Sequence, residues 1–512
     1  MHPPLSLYWR TIRHLTARQM GYQLWNRLRG QPRLRWDERI PETVPSVSLP
    51  IAFSFLNQPV TFTERVDWNY AHNGKLWTYN LTYFDALAHR NGQEGLALIY
   101  DFMRQTRNLR DGLEPYPTSL RVLNWRAFLL KNDIHDPQIE RHLYAQTALL
   151  RSRLEYHLGG NHLLENACAL TIMAVHFAER DWFVTATKLL QEQLSEQILA
   201  DGGHYERSPV YHQLLTDRLL DVYAVLHVDA WADHLALTDL LRQKIGLMLG
   251  WLRAVTFRNG SVPMVNDSAY GVAPNTATIG QKAQALDLMP TPVALGESGY
   301  RMLTTTRLEC FVDVGPVGPD HQPGHAHADT FSFVLHIDGQ PVIVDPGTST
   351  YQPGEQRTWE RSTAAHNTVT VNGQNSSEVW AGFRVGRRAK VTLLTDEKNC
   401  LCARHDGYNY LNERHTRTIN LTDKYKIIII DHFIGKILTK SCNFHFDTSL
   451  RLVNSVTGIT THGFALDCTT DGVLTTTLTA YELATGFNDR VAAQKLSVCF
   501  DNTTVTTSLT AF

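Results

Sequence analysis

The stretch that decides the fold is Gly324-His325-Ala326-His327-Ala328-Asp329-Thr330-Phe331-Ser332-Phe333-Val334-Leu335-His336-Ile337. From Thr330 it alternates. Phe331, Phe333, Leu335 and Ile337 fall on one side and Thr330, Ser332 and His336 on the other, which predicts a half-buried antiparallel strand. In the same period-two register, His325, His327 and Asp329 point to a common side at the mouth of that strand. After Gly339, the short apolar run Pro341-Val342-Ile343-Val344 stops at Asp345-Pro346-Gly347, a strand ended by a turn. A further segment reads Arg361-Ser362-Thr363-Ala364-Ala365-His366-Asn367-Thr368-Val369. Adjacent segments thus offer imidazole, carboxylate and imidazole, donors suited to one tetrahedral zinc or similar divalent ion. The predicted ligands are His327, Asp345 and His366, with His325 left free for chemistry. In a chain with 23 histidines an isolated His-x-His reads as a satisfied polar strand end; donors at the ends of neighbouring strands favour the metal.

At 512 residues and 43% hydrophobic, the chain is long enough for two or more cored domains. A formal net charge of −2 provides no global field for nucleic acid or an anionic membrane, and no nucleic-acid partner is expected. Seven cysteines without a CxxC pair argue against a disulfide framework. Residues 1–30 are rich in Arg, Tyr and Trp and have no continuous apolar core of a secretory signal, so a cytoplasmic location is expected. They read as an amphipathic helix laid on the protein in preference to a membrane surface. No apolar run is long enough to span a bilayer.

An irregular, proline-bearing stretch follows, to about Pro59, and then the aromatic cluster Trp68, Tyr70, Trp77, Tyr79, Tyr83 and Phe84, read as core or as sugar-stacking platforms. Helical spacing continues from about 84 to 257, in segments near 84–106, 117–132, 136–157, 162–180, 183–200, 209–228 and 231–255. Asn91-Gly92, Gly159-Gly160 and Asp201-Gly202-Gly203 are breakers. Successive helices with short connections build a bundle, a solenoid or an α/α toroid, and the lack of a strict repeat weighs against the solenoid. From Tyr300 onward many short strands with turn residues predict an antiparallel sandwich. The expected organisation is an arm over 1–59, a helical domain over 60–290 and a β-sandwich over 300–512.

Two helix mouths carry polar residues beyond ordinary capping. In Gly159-Gly160-Asn161-His162-Leu163-Leu164-Glu165-Asn166, Asn161 is the expected N-cap, and His162, Glu165 and Asn166 share one helix face. In His204-Tyr205-Glu206-Arg207-Ser208-Pro209-Val210-Tyr211-His212, Ser208 as N-cap and Pro209 at the first position hold Tyr211 in the first turn. Arg207 is placed to lower the pKa of Tyr211. Tyr205, Arg207 and Arg361 are assigned to substrate binding. Arg361, Arg384, Arg387 and Arg388 suit a positive wall for an acidic polymer and equally suit solvated strand edges.

These residues resemble the heparinase II/III-like polysaccharide lyases, which include alginate and oligoalginate lyases. The resemblance rests on Asn161-His162-x-x-Glu165-Asn166, Ser208-Pro209-x-Tyr211-His212, His325-x-His327-x-Asp329-x-x-Ser332-Phe333, Asp345-Pro346-Gly347 and Ala365-His366-Asn367-Thr368, in the family's order across roughly residues 60 to 450. It implies an N-terminal α/α toroid (an incomplete helical barrel), a C-terminal antiparallel β-sandwich, and an active cleft between them. It also implies a metal, commonly zinc and mainly structural, at His327, Asp345 and His366. The implied reaction is β-elimination at a uronic acid: the carboxylate is neutralised, a base removes the C5 proton, and an acid protonates the departing oxygen. Asn161 and His162 are the implied carboxylate contacts. Tyr211 is the acid, and also the base for one sugar epimer; His325 is the base for the other. Glu165 joins them as a catalytic candidate. The expected partner is therefore an acidic polysaccharide or oligosaccharide.

The arginine- and tryptophan-rich arm, Leu5 to Leu28, falls outside the resemblance and suits a branch concerned with making surface polysaccharides. Two other classes compete. One is a glycan-binding protein on the same scaffold without turnover, for which Asn161, His162, Tyr211 and His325 together have no use. The other is a toroid glycoside hydrolase, which needs two carboxylates flanking one bond; Glu165 and Glu206 are the candidates, and the histidines are then unexplained.

Overall fold

A computed structural model describes the chain except residues 1–3, 37, 230, 232–233 and 436–437. The chain divides into two compact units that interleave along the sequence: Thr16–Gln197 with Asp217–Gln243, and Met1–Leu15 with Ile198–Thr216 and Lys244–Phe512. The sequence reading drew its boundaries between consecutive segments instead.

Among the described residues ten α-helices carry the first half of the chain: α1 (Leu5–Ile12), α2 (Ala17–Arg29), α3 (Lys75–Tyr83), α4 (Gly92–Gln105), α5 (Pro115–Lys131), α6 (Pro137–Ser152), α7 (Gly160–His176), α8 (Arg180–Gln197), α9 (Pro209–Val228) and α10 (Leu235–Val255). Their starts are chemically marked. Asn91 accepts from Glu94 N to cap α4, Asp136 caps α6 ahead of Pro137, and Thr16 with Gln19 forms a capping box on α2. α7 is buried along most of its length, from Gly160 to Ala174, so its surroundings and not an amphipathic stripe hold it. Its cap is Gly159 at φ +72°, a left-handed position open to glycine; Asn161, expected as the cap, lies inside the first turn.

The second unit is built on antiparallel sheets. An eight-stranded sheet runs in the order Val391–Glu397, Cys400–His405, Glu413–Leu421, Lys426–Gly435, Thr504–Ala511, Phe464–Thr469, Gly458–Thr460 and Val453–Asn454. Two four-stranded sheets face the same core: Tyr300–Thr304, Leu308–Asp313, Phe333–Ile337, Gln340–Ile343, and Leu474–Gly486, Asp489–Phe500, Lys440–His445, Val369–Val371. They join where Val344 N donates to His445 O at 2.9 Å. Every second residue of Glu413–Leu421 is buried, the period-two signature of a sandwich strand. Phe333, Leu335, Phe444, Leu496, Ile419, Ile427 and Val505, drawn from all three sheets, meet in one core.

The decisive stretch departs from its prediction in two ways. Only Phe333–Ile337 is strand, because Phe331 at φ +71° breaks the alternation; His325, His327 and Asp329 lie in an irregular segment, not in an extended register. Nor is the strand half-exposed. Thr330, Ser332 and His336 are buried, His336 stacking on Phe257 with ring centroids 3.8 Å apart.

Candidate functional site

Within the sheet-bearing unit the loop before α9 supplies two of the groups. His212 N donates to Ser208 O, which fixes the helix start at Pro209 and holds Tyr211 in the first turn. The Ser208 hydroxyl does not cap; it pairs with Ser268 Oγ at 2.9 Å. Arg207 takes a left-handed conformation, φ +58°, and turns its guanidinium onto the carbonyls of Ser298 and Tyr205. It therefore does not lower the Tyr211 pKa, contrary to the expectation from sequence. Burial pushes that phenol well above its ordinary value, against opposing pulls from the Tyr351 hydroxyl and Arg357. At neutral pH Tyr211 is a protonated phenol, the form an acid needs.

The Tyr211 ring stacks on the His325 imidazole, with centroids 3.9 Å apart and planes 16° apart. His325 Nδ1 lies 2.5 Å from Glu206 Oε2, whose side chain is 1% exposed. A carboxylate on Nδ1 fixes the tautomer in which Nδ1 carries the proton and Nε2 has a lone pair. That is the arrangement of a general base with an orienting acid. The Tyr211 hydroxyl meets the Tyr351 hydroxyl at 3.1 Å.

Beneath these groups sits a dipeptide that the sequence reading missed, Asn266-Asp267. Asn266, at φ +55°, accepts from His327 N and donates to Arg207 O and Tyr300 Oη. Asp267 N donates to His325 O at 3.1 Å. Its carboxylate accepts from Arg357 Nη1 at 2.5 Å, Arg357 Nη2 at 2.7 Å and His327 Nε2 at 2.9 Å, all three side chains being fully buried. Burial alone would raise this carboxyl; Arg357 and His327 reverse that and hold it far below the usual range. Arg357 also covers the Tyr351 and Phe383 rings at 4.9 and 5.2 Å. The signal available in sequence was an Asn-Asp-Ser run, Asn266 to Ser268, after a long helix, which is also an ordinary loop composition.

The predicted metal ligands cluster in the same unit. His366 Nδ1 is 2.8 Å from Asp345 Oδ2, and the His327 and His366 rings are 5.3 Å apart. His327 Nδ1 and Asp329 Oδ2 are buried without a hydrogen-bond partner, as donors awaiting an ion would be. Burial lowers the His327 pKa to about 4, which keeps the imidazole neutral and able to ligate. The donor chemistry fits a divalent ion, although among the described residues no three such side chains stand close enough to enclose one.

Tyr205 and Arg207 are both buried. Arg361 is 1% exposed and reaches the carbonyls of Ala326, Trp380, Ala381 and Arg384, so it holds chain segments together and forms no positive wall. Burial brings its pKa down to about 9.

Asn161, His162 and Glu165 belong to the helical unit. His162 stacks on Tyr116 at 4.2 Å, and its Nδ1 lies 3.2 Å from Glu155 Oε1. Glu155 also accepts from Asn166 Nδ2, a role no spacing in the sequence announced. Asn161 is buried, whereas about a third of the His162 side chain remains exposed. Glu165 is bound by Arg218 at 2.6 Å in a largely buried ion pair.

Residues 119–291 match the family described as Heparinase II/III N-terminus, and residues 289–510 match Heparinase II/III-like, C-terminal. The chain belongs to the heparinase II/III-like family. Two curated relatives are heparin-sulfate lyases: that of Bacteroides stercoris is 22% identical over 321 residues, and that of Pedobacter heparinus 25% identical over 309. These alignments take in 57% and 54% of this chain but 46% and 44% of the relatives, so the chain matches under half of their length. The crystal structure of heparinase III superposes with a TM-score of 0.71 at 16% identity, covering 87% of this chain and 79% of that one. The family's toroid-plus-sandwich architecture is thus the fold of this chain.

Proposed function

We propose that this heparinase II/III-like protein is a polysaccharide lyase that cleaves an acidic, uronate-bearing glycan by β-elimination. The observation that carries the reading is the stacked pair of Tyr211 and His325, one a protonated phenol and the other an imidazole oriented by Glu206. β-Elimination needs one group to take the C5 proton and another to give a proton to the leaving glycosidic oxygen, on neighbouring atoms of one sugar. An acid and a base stacked 3.9 Å apart match that demand. His325 Nε2 takes the C5 proton, the C5–H electrons form the C4–C5 double bond, and the C4–O bond breaks as Tyr211 protonates the departing oxygen.

Asn161 and His162 are the proposed contacts for the uronate carboxylate, whose neutralisation makes the C5 proton removable. A divalent ion, held by His327, Asp345 and His366, is proposed as a structural element of the sheet; bound there it would stabilise the fold without taking part in proton transfer. Metal analysis of the purified protein at well below one equivalent, with no loss of melting temperature on chelation, would remove it. The hydrolase reading loses support because its two carboxylates are engaged, Glu165 by Arg218 and Glu206 by His325.

The test is absorbance of the unsaturated uronate product, near about 232 nm, across a panel of heparan-type and other uronate glycans, since only elimination creates that chromophore. Activity that Tyr211→Phe and His325→Ala each abolish, with folding unchanged, supports the proposal. Cleavage into saturated ends, or a fully active Tyr211→Phe protein, refutes it.

A further inference from the structure

The two N-terminal helices expose apolar faces that the glycan chemistry does not use. α2 lies in the helical unit and is anchored by one side: Gln19 donates to Leu158 O, Tyr22 packs on Tyr156 at 4.7 Å, and Asn26 meets His157 Nδ1 at 3.0 Å. The opposite side presents Met20, Leu24, Trp25 and Leu28, which are 51, 61, 53 and 73% exposed. At 100° per residue these four form one stripe, with Arg27 along one margin and, along the other, Arg18, which pairs with Glu192 at 3.4 Å and covers the Tyr156 ring. α1, in the other unit, repeats the pattern. Arg10 is tied to Glu378, and Tyr8 packs on Trp380, while Leu5, Trp9 and Ile12 stand exposed with Arg13 beside them.

Charge selects the occupant. Met1 to Trp36 holds seven arginines and no acidic residue, in a chain whose formal charge is −2. A second copy docking face to face would oppose the same arginine-flanked stripe to itself, which like-charge repulsion disfavours. An interfacial helix on an anionic bilayer has this composition: an apolar stripe for the acyl boundary, tryptophan at its edge and arginines along the flanks at the phosphates. Beside Trp25 a 370 Å³ cleft, lined in part by Tyr22, Arg29, Arg151 and Tyr156, is suited to a phosphate head group. Arg29 Nε is buried there without a hydrogen-bond partner, while its Nη1 and Nη2 donate to Ser152 O and Asn26 Oδ1.

We propose that α2 is a peripheral anchor that docks this protein on an anionic lipid surface. Binding is then reversible, since among the described residues no helix is long and apolar enough to cross a membrane.

The experiment is co-flotation of the full chain with phosphatidylcholine vesicles, pure or containing about one-third phosphatidylglycerol, at low and high salt. The expected result is flotation with the anionic vesicles only, weakened by salt. Leu24→Glu/Leu28→Glu should reduce binding about tenfold or more, and Arg27→Gln about fivefold. Both variants change outward side chains, so their melting temperatures should match the wild type. Absence of flotation at low salt overturns the proposal, as does equal flotation on neutral vesicles. It is also overturned if wild-type protein sediments as a dimer that Leu24→Glu/Leu28→Glu dissociates while neither binds vesicles; the face is then an interface between copies.

Discussion

Replacing Asp267 by Asn tests the buried carboxylate on which the site stands. The exchange preserves shape and removes one charge. In the native protein the carboxylate accepts three hydrogen bonds within 3.0 Å, two from Arg357 and one from His327, none open to solvent. Asn keeps one acceptor oxygen, and its amide must face a donor of Arg357 or His327. The guanidinium loses the carboxylate that faces it and keeps the Asn oxygen, the Tyr351 and Phe383 rings, the Gly382 carbonyl and the more distant Glu360 carboxyl, which burial pushes toward its neutral form. Breaking a buried pair in this way costs about 3–5 kcal/mol. With an unfolding entropy of ~2.1 cal/mol/K per residue over a unit of roughly 300 residues, the melting temperature should fall by about 5–8 °C. The assay is thermal unfolding of Asp267→Asn, Arg357→Met and the double variant, with lyase activity measured well below the melts. The double variant should melt above Asp267→Asn, because it removes the stranded charge. A melting point for Asp267→Asn within about 1 °C of wild type, or strictly additive losses in the double variant, refutes the reasoning.

Glu206→Gln should lower kcat about 100-fold with little change in KM or melting temperature, since it frees the His325 ring without removing it; an unchanged kcat would show that the 2.5 Å contact orients nothing. Arg361→Met should lower the melting temperature by several degrees and leave KM for an oligosaccharide unchanged, because its donors reach backbone carbonyls; a raised KM with an unchanged melt would restore it as a substrate contact. Stability should fall as the pH drops below about 6.5, the unfolded value for histidine. His142, buried between Trp36 and Trp125, has a folded pKa pushed down to about 3, so the unfolded chain takes up its proton first. That difference removes roughly 2 kcal/mol by pH 5. Denaturant titrations of wild type and His142→Gln should converge as pH falls, and parallel curves would exclude the effect.

Helix and sandwich were legible because both are periodic: the apolar spacing of residues 84–257 and the alternation of Glu413–Leu421 follow from burying one face. The site was legible only where residues sit close in sequence. Pro209 fixes Tyr211 locally, and that placement appears in the structure. The spacing of His325, His327 and Asp329 looked like one more alternating run; the left-handed turn at Phe331 has no residue-type signature, since nothing about phenylalanine announces φ +71°. Arg207 and Arg361 looked like free cations because sequence shows their charge and not the distant carbonyls they serve. Glu206 and Asp267 were the hardest. Each acts on a histidine 119 or 60 residues away, and neither touches it through a repeated spacing. Yet Glu206 settles which His325 nitrogen has the lone pair, and Asp267 which His327 nitrogen is left over. A motif can name the imidazoles; the choice between their two nitrogens is made by partners that folding alone brings within 3 Å.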